Sequence, residues 1–425
     1  MSLAAAIEYH WQYGRWILAP RKSTGGTAAE VQTSDVIAFR LHAHHLAMRQ
    51  PADDLHEVAG ACGIQNSPPG SALLALHARV EDVTQGRIDH LVGEEKSLLQ
   101  TWCIRGSPFF FPTVDAPVFI TGVLPATETA RLHLIIGIEG ALSKLGMGLD
   151  EAVDLTAEEI GAVLSARQLA INELGQELAE RIAARLSSAQ RKTWQVEGPY
   201  GANVPLGEGV VHFCIRMLTL RGIVCFAPRS ENKAPFVLLG EWLGRPLPQV
   251  DPNRARATLL RRYLQCYGPS TRKDFAAWLG VFAGDVDPWW TTLEDELTPV
   301  EFNGRRAWIL TKDRDTLRSP AEARGVRLLP PSDPYTQLRD RDTIVDKQHH
   351  RDVWKTVGAP GAVLADGGIA GIWRPRKSGR KLALSVETFQ PLSTELRKQL
   401  CDEAEHVAEL RGASTVQVEF DNAAR

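Results

Sequence analysis

The chain is predicted to be an α+β protein made of three tandem helix-then-hairpin units of winged-helix type, followed by a β-rich C-terminal domain. Three observations predict it. Three times, after Ser34, after Gly209 and after Asp251, helical periodicity gives way to a pair of apolar strands joined by a turn. Beyond residue 326 closely spaced strands accompany a single long amphipathic helix. The 425 residues, 44% hydrophobic and 23% charged, are enough for two to four globular domains at roughly 100–200 residues each.

Residues 1–30 are expected to be a flexible N-terminal extension, because Arg21-Lys-Ser-Thr-Gly-Gly-Thr27 reads as a joint and helical periodicity starts only at Ser34. Residues 31–127 make the first unit. Ser34 is the expected cap of a helix whose Val36, Ile37, Phe39, Leu41 and Leu46 approximate one apolar face. Helices follow over 53–62, 70–80 and 84–91, with an extended stretch at 63–69, and strands over 97–104 and 107–111 close through the turn Arg105-Gly106. Phe109, Phe110 and Phe111 on the second strand read as core residues, ahead of a role as wedges between bases.

Residues 128–243 open with a helical connector. Positions 128–180 hold 10 acidic and 3 basic residues and should face away from a polyanion. A helix over 209–220 and strands over 223–226 and 236–239 complete the second unit. In the third, residues 244–326, Asp251-Pro252 starts a helix that runs to Tyr267. Ser270 is the expected cap of a helix over 271–279, another helix fits 285–297, and Asn303-Gly304 is the signal for a type I′ hairpin turn. Residues 327–425 form the C-terminal domain, with a hairpin tip near 374–381, a helix over 393–410 and a last strand over 414–420. Asp333, between prolines, reads as turn chemistry.

The formal net charge of −3 shows no global preference for a polyanion. Locally the chain is divided, since residues 301–381 carry 17 basic and 10 acidic side chains. Arg374, Arg376, Lys377, Arg380 and Lys381 fall within eight residues on the hairpin tip and suit phosphate contacts, as does Arg105 at the first hairpin's turn. The six cysteines show no CxxC spacing and read as buried small hydrophobes in a reducing compartment. His42, His44 and His45 do not share a helix face, and with His349-His350 they read as exposed or capping residues, so no metal is expected. With no phosphate loop, dinucleotide fingerprint, serine elbow or HExxH, no small-molecule cofactor is expected. No secretion signal or membrane span is expected either, and the chain reads as a cytoplasmic monomer.

The blocks Gly63-Ile-Gln-Asn-Ser-Pro-Pro-Gly-Ser-Ala-Leu-Leu-Ala-Leu-His-Ala-Arg-Val80, Thr101-Trp-Cys-Ile-Arg-Gly106, Tyr263-Leu-Gln-Cys-Tyr-Gly-Pro-Ser270, Leu328-Leu-Pro-Pro-Ser-Asp-Pro-Tyr335 and Gly371-Ile-Trp-Arg374 belong together. Jointly, over about residues 34–420, they resemble the tandem winged-helix family that includes the AlkZ and YcaQ type DNA glycosylases. The resemblance implies three winged helices around a concave surface that binds double-stranded DNA. It also implies excision of N-alkylated purines, some bulky or cross-linked, without metal or cofactor. The family's site motif, Gln-hydrophobic-Gln or Gln-hydrophobic-Asp, falls on Gln65-Asn66-Ser67. Gln65 keeps the first position, while Asn66 and Ser67 depart from the pattern.

That chemistry suits amide and hydroxyl groups. A purine alkylated at N7 or N3 is already a cationic leaving group, so its loss needs a positioned water and a stabilised oxocarbenium-like sugar more than a strong acid. Gln65 can accept from the water and Ser67 can add a shorter hydrogen bond, with Asn66 a candidate DNA contact. Ser67 before Pro68 also reads as a helix cap. Two alternatives stand beside this reading: a non-catalytic DNA-binding regulator or lesion binder, and a set of protein-interaction modules.

Overall fold

The structure, a computed structural model, describes residues 9–12, 15–18, 29–229, 233–318 and 322–422. These form a mixed α+β fold with five separate sheets among the described residues. Strands Ile64–Gln65, Pro108–Pro112 and Leu98–Trp102 lie side by side in that order, antiparallel. The helices Leu55–Cys62, Ser71–His77 and Gln85–Gly93 cover one face of this sheet. Each helix is too short to persist alone. Leu55, Val58, Leu73, Leu76, Ile88 and Leu91 close over Phe110 instead, and each such burial contributes roughly 1.5–3 kcal/mol.

Residues 128–180 are not a connector. Helices Leu149–Leu164 and Ile171–Arg185 pack directly on Leu206–Leu220 and the hairpin Val224–Phe226/Phe236–Leu238. Their Ile160, Val163, Leu174, Leu178 and Ile182 share a core with Val210, Cys214 and Leu218. The acidic surplus lies on the outer face, where Glu159 pairs with Arg181.

The third group holds Pro252–Tyr267, Arg272–Leu279, short helical turns over 283–296, and the hairpin Leu297–Phe302/Arg305–Leu310. Asn303 and Gly304 close that hairpin at φ +50° and +67°, as a type I′ turn requires. Asp251 caps through Arg254 N at 2.9 Å. The next cap is Thr271 and not Ser270, whose hydroxyl meets Tyr263 Oη at 2.8 Å. The helix expected over 285–297 is broken because Pro288 cannot donate to a preceding turn.

The first long helix, Thr33–Ala43, starts one residue before the expected cap, with Gln32 as its N-cap. Its partner differs as well. Val36 and Phe39 pack on Val300, Phe302 and Ile309 of the third hairpin and on Leu317 of the short helix Arg314–Arg318, and Ala29–Glu30 adds a parallel strand beside Leu297–Phe302. The boundary expected at residue 31 is therefore displaced, since an apolar helix face shows that a partner exists and not which one. Most of the extension expected over 1–30 lies outside the described residues. Of its backbone, Tyr9–Gln12 pairs with Arg15–Leu18.

The C-terminal sheet runs Val326–Leu329, Gly361–Ala365, Gly368–Ser378, Lys381–Thr388 and Thr415–Asn422, with only the last pair parallel. A parallel pair needs a crossover, and helix Thr394–Leu410 provides it. Alternation sets the two faces. Leu328, Val363, Trp373 and Leu384 meet Leu400, Ala404 and Val407 of the helix, whereas Leu329, Ala362, Leu364 and Ile372 join the main core.

Residues 330–341 tie the parts together. Asp333 pairs with the buried Arg79, Pro334 O accepts from Tyr267 Oη at 2.8 Å, and Asp340 pairs at 2.8 Å with Arg40, which also donates to Gly268 O and Pro269 O. Asp333 Oδ1 also accepts from Tyr335 N at 2.9 Å, the turn chemistry its flanking prolines indicate. Among the described residues no helix is long and apolar enough to cross a membrane.

Candidate active site and nucleic-acid interface

Gln65 pairs with Phe109, and Phe109 stands opposite Thr101, so the three share one face of the first sheet. Ile64 alternates to the other face and into the helical core. Gln65 is only 7% exposed, yet its Oε1 makes no hydrogen bond within the protein, and neither does the buried Thr101 Oγ1. A buried polar atom without a partner costs about 1–3 kcal/mol. The fold thus holds an acceptor at the strand end that its own groups do not use.

The next two residues behave differently from expectation. Asn66 N donates to Pro108 O at 2.8 Å, and Asn66 Oδ1 accepts from Gly70 N at 2.9 Å and Ala72 N at 3.3 Å. Asn66, not Ser67, therefore serves the backbone at the start of helix Ser71–His77, and its side-chain oxygen is not free for DNA. Ser71 Oγ completes the loop by donating to Pro68 O at 2.7 Å and Gln65 O at 3.2 Å. Ser67 stays half-buried between them. A cleft of about 440 Å³ opens beside Asn66, Leu73, Gln100 and Phe110, on the Ile64 face of the sheet and not on the Gln65 face.

Arg105 does not fit an exposed phosphate contact. At φ +54° in the hairpin turn, it donates from Nη1 to Trp278 O at 2.8 Å and from Nη2 to Gln337 Oε1. The side chain crosses Gly280 (φ +96°), where a Cβ would lie 2.8 Å from Arg105 Cγ. Burial, and then the charge of Arg339, hold its pKa down at about 10.

The basic hairpin divides by its pleat. Arg374 pairs with Ser385, Arg376 with Ala383 and Ser378 with Lys381, so Arg374, Arg376 and Lys381 share the face opposite to Trp373 and the helix. Lys377 lies on the helix side, and its Nζ donates to Arg411 O at 2.6 Å, where the helix ends. Arg380 is exposed in the turn, and its carbonyl accepts from Ser414 N at 2.8 Å. The last strand, Thr415–Asn422, lies alongside Lys381–Thr388, so this hairpin is not a free arm.

A family model described as "DNA glycosylase AlkZ-like" matches residues 58–410. The chain belongs to the AlkZ-like DNA glycosylase family. A curated relative, the interstrand DNA cross-link repair glycosylase of Streptomyces sahachiroi, is 26% identical over 392 residues, covering 90% of this chain and 97% of the relative. The solved structure of Streptomyces sahachiroi DNA glycosylase AlkZ matches 92% of this chain and 100% of its own, with TM-score 0.71 and 24% identity. It shares the α+β fold. For the AlkZ-like chain, the family match spans both the Gln65 segment and the basic hairpin.

The AlkZ-like fold also gathers residues that are far apart in sequence. His44, Cys62 and Cys266 are buried with their ligand-type atoms within 4.8 Å of one another, and His44 Nε2 has no partner. His44 sits edge-on between Tyr267 and Tyr335, so it is interior and not exposed, and it is the C-cap residue of helix Thr33–Ala43, its backbone N–H donating to Arg40 O. The Cys266 hydrogen bond holds the Cys62 thiol well below its usual range. Among the described residues no fourth donor completes a closed tetrahedral set in this cluster. In a second group, His77, Glu403 and His406, the carboxylate is taken by Arg49 at 2.7 Å to each oxygen.

Proposed function

We propose that the chain is a monofunctional DNA glycosylase that removes N-alkylated purines from double-stranded DNA, acting as a monomer without metal or small-molecule cofactor. Its three helix-and-hairpin groups are read as winged helices around a concave DNA-binding surface. The observation that carries the reading is Gln65, an amide at the family's motif position whose Oε1 is buried and unused by the protein. In the reaction, the bond from sugar C1′ to the base breaks, its electron pair leaves on the base and cancels the alkylation charge. Water adds to C1′ and gives up a proton. Gln65 Oε1 accepts a hydrogen bond from that water and points its lone pair at C1′, and the Ser67 hydroxyl supplies a second contact. Asn66 Nδ2, Arg374, Arg376, Arg380 and Lys381 would hold the strand.

The test is release of free base and formation of abasic sites from duplexes carrying N7-methylguanine, and from a duplex with an interstrand cross-link, the kind of lesion named for the curated relative. Equal release by wild type and Gln65→Ala would end the role given to Gln65, and no release by the wild type from either substrate would end the catalytic reading. A non-catalytic DNA-binding protein is the second reading, favoured by Asn66 and Ser67 at the other two motif positions and by the backbone duty of Asn66 Oδ1. It is distinguished by salt-sensitive duplex binding without any base release.

A further inference from the structure

A cavity of about 280 Å³ opens between the 330–341 segment and residues 353–362. Its walls carry Arg339, Arg341 and Lys355 with the hydroxyls of Ser332, Thr336 and Thr356, and no carboxylate. Trp354 braces one side. Its Nε1 donates to Thr336 O at 3.0 Å, and the Arg341 guanidinium lies 4.7 Å from the ring centroid.

No carboxylate stands within ion-pair distance of these cations among the described residues. Among the described residues no ion pair engages Arg339, Arg341 or Lys355, and Arg339 Nε is buried without a hydrogen-bond partner. Arg105 lies close enough for its charge to be felt. Burial depresses the pKa of all three arginines, and the charge of Arg339 depresses those of Arg105 and Arg341 further. The one acid that acts on Arg339, Asp274, does so less than Tyr263 and Tyr267, and accepts from Thr271 Oγ1 at 2.7 Å. Two of the buried arginines elsewhere are neutralised, Arg40 by Asp340 and Arg79 by Asp333, while Arg256 is held by Leu124 O and Asn253 Oδ1.

Uncompensated like charges repel, and guanidinium forks match the paired oxygens of phosphate. We propose that this cavity is a phosphate site that takes one backbone phosphate of the DNA, with Arg339 and Arg341 as the donors and Lys355 at the rim. The choice of DNA as the source rests on the glycosylase reading above. The volume suits a phosphodiester group with a few waters of roughly 30 Å³ each.

Two measurements on the full chain test it, with Arg339→Gln/Arg341→Gln and, at the exposed rim, Lys355→Gln. In the first, duplex affinity is followed against salt. Loss of one phosphate contact makes the slope of log Kobs on log[salt] shallower by about 0.9, and the double variant should show at least that change. In the second, inorganic phosphate should raise the Tm of the wild type and not of the double variant, whose Tm without phosphate should equal or exceed the wild type's as repulsion is relieved. Duplex binding with an unchanged slope in both variants overturns the proposal while leaving the DNA reading in place. If the wild type binds no duplex, the DNA reading falls, and with it the DNA source of the phosphate. The cavity as a phosphate site then stands or falls on the Tm response alone.

Discussion

Arg79 and Asp333, 254 positions apart, meet in a two-pronged ion pair, Nη1 to Oδ2 at 2.8 Å and Nη2 to Oδ1 at 2.7 Å, with both side chains shut off from solvent. Arg79 Nη1 also donates to Ala75 O at 2.8 Å, so the pair fixes the end of one helix against a turn from the far side of the sequence. Breaking one partner strands a buried charge, which typically costs about 3–5 kcal/mol. Asp333→Asn and Arg79→Met are each expected to lower the urea unfolding free energy by that amount, and Arg79→Met with Asp333→Leu to recover much of it. Single variants within 1 kcal/mol of wild type, on the order of a surface change, would show the pair to be incidental.

Glu403 gives a pH dependence with a definite sign. Burial alone would raise its pKa, but His77 and Arg49 outweigh it and hold the carboxyl at about 2. An unfolded chain binds the same proton near pH ~4.3, so acid favours the unfolded state first. The contact's stabilisation is full above about pH 4.5 and is lost as the pH falls towards 2. Glu403→Gln is expected to lower stability at neutral pH and to flatten the fall of the urea midpoint between pH 4.5 and 2. An acid limb as steep as wild type's would assign the loss to other groups.

Gln65→Ala should separate activity from stability. Base release is expected to fall by roughly 10²-fold or more, the usual scale for a group that handles the reacting water. The Tm is expected to stay level or rise, because an unpartnered buried oxygen disappears. A large drop in Tm alongside lost activity would instead make Gln65 a packing residue.

The pleat of the basic hairpin makes two adjacent cations unequal. Arg376→Ala is expected to make the salt dependence of duplex binding shallower by about 0.9. Lys377→Ala should change it less, since that amine is engaged at Arg411 O, and should loosen the end of helix Thr394–Leu410 by about 0.5–1.5 kcal/mol. Fluorescence anisotropy across a KCl series reads the first effect and urea denaturation the second. Equal slopes for the two variants would contradict the facial split.

What the sequence made legible was locally encoded. Asp251-Pro252 and Asn303-Gly304 each fix backbone conformation within a few residues, and each lies where the pattern put it. The partner of Thr33–Ala43, the inward course of Arg105 and the loop duty of Asn66 Oδ1 were not legible, because each depends on what the rest of the fold sets opposite. Arg79 is the sharpest case. Nothing near it in the sequence marks Asp333 as its partner. Gln65 became a candidate through the family resemblance, since a glutamine in a two-residue strand carries no pattern of its own.

Residues 330–341 reach the first sheet's helices through Asp333, the first hairpin's turn through Gln337, the third group through Pro334, and helix Thr33–Ala43 through Asp340. A cut anywhere in this short stretch would not free a separable piece. It would leave Arg40, Arg79 or both as interior cations with no anion to face. The chain should therefore melt in one transition, resist trimming to a smaller catalytic fragment, and lose its DNA-handling surfaces all at once when that stretch gives way.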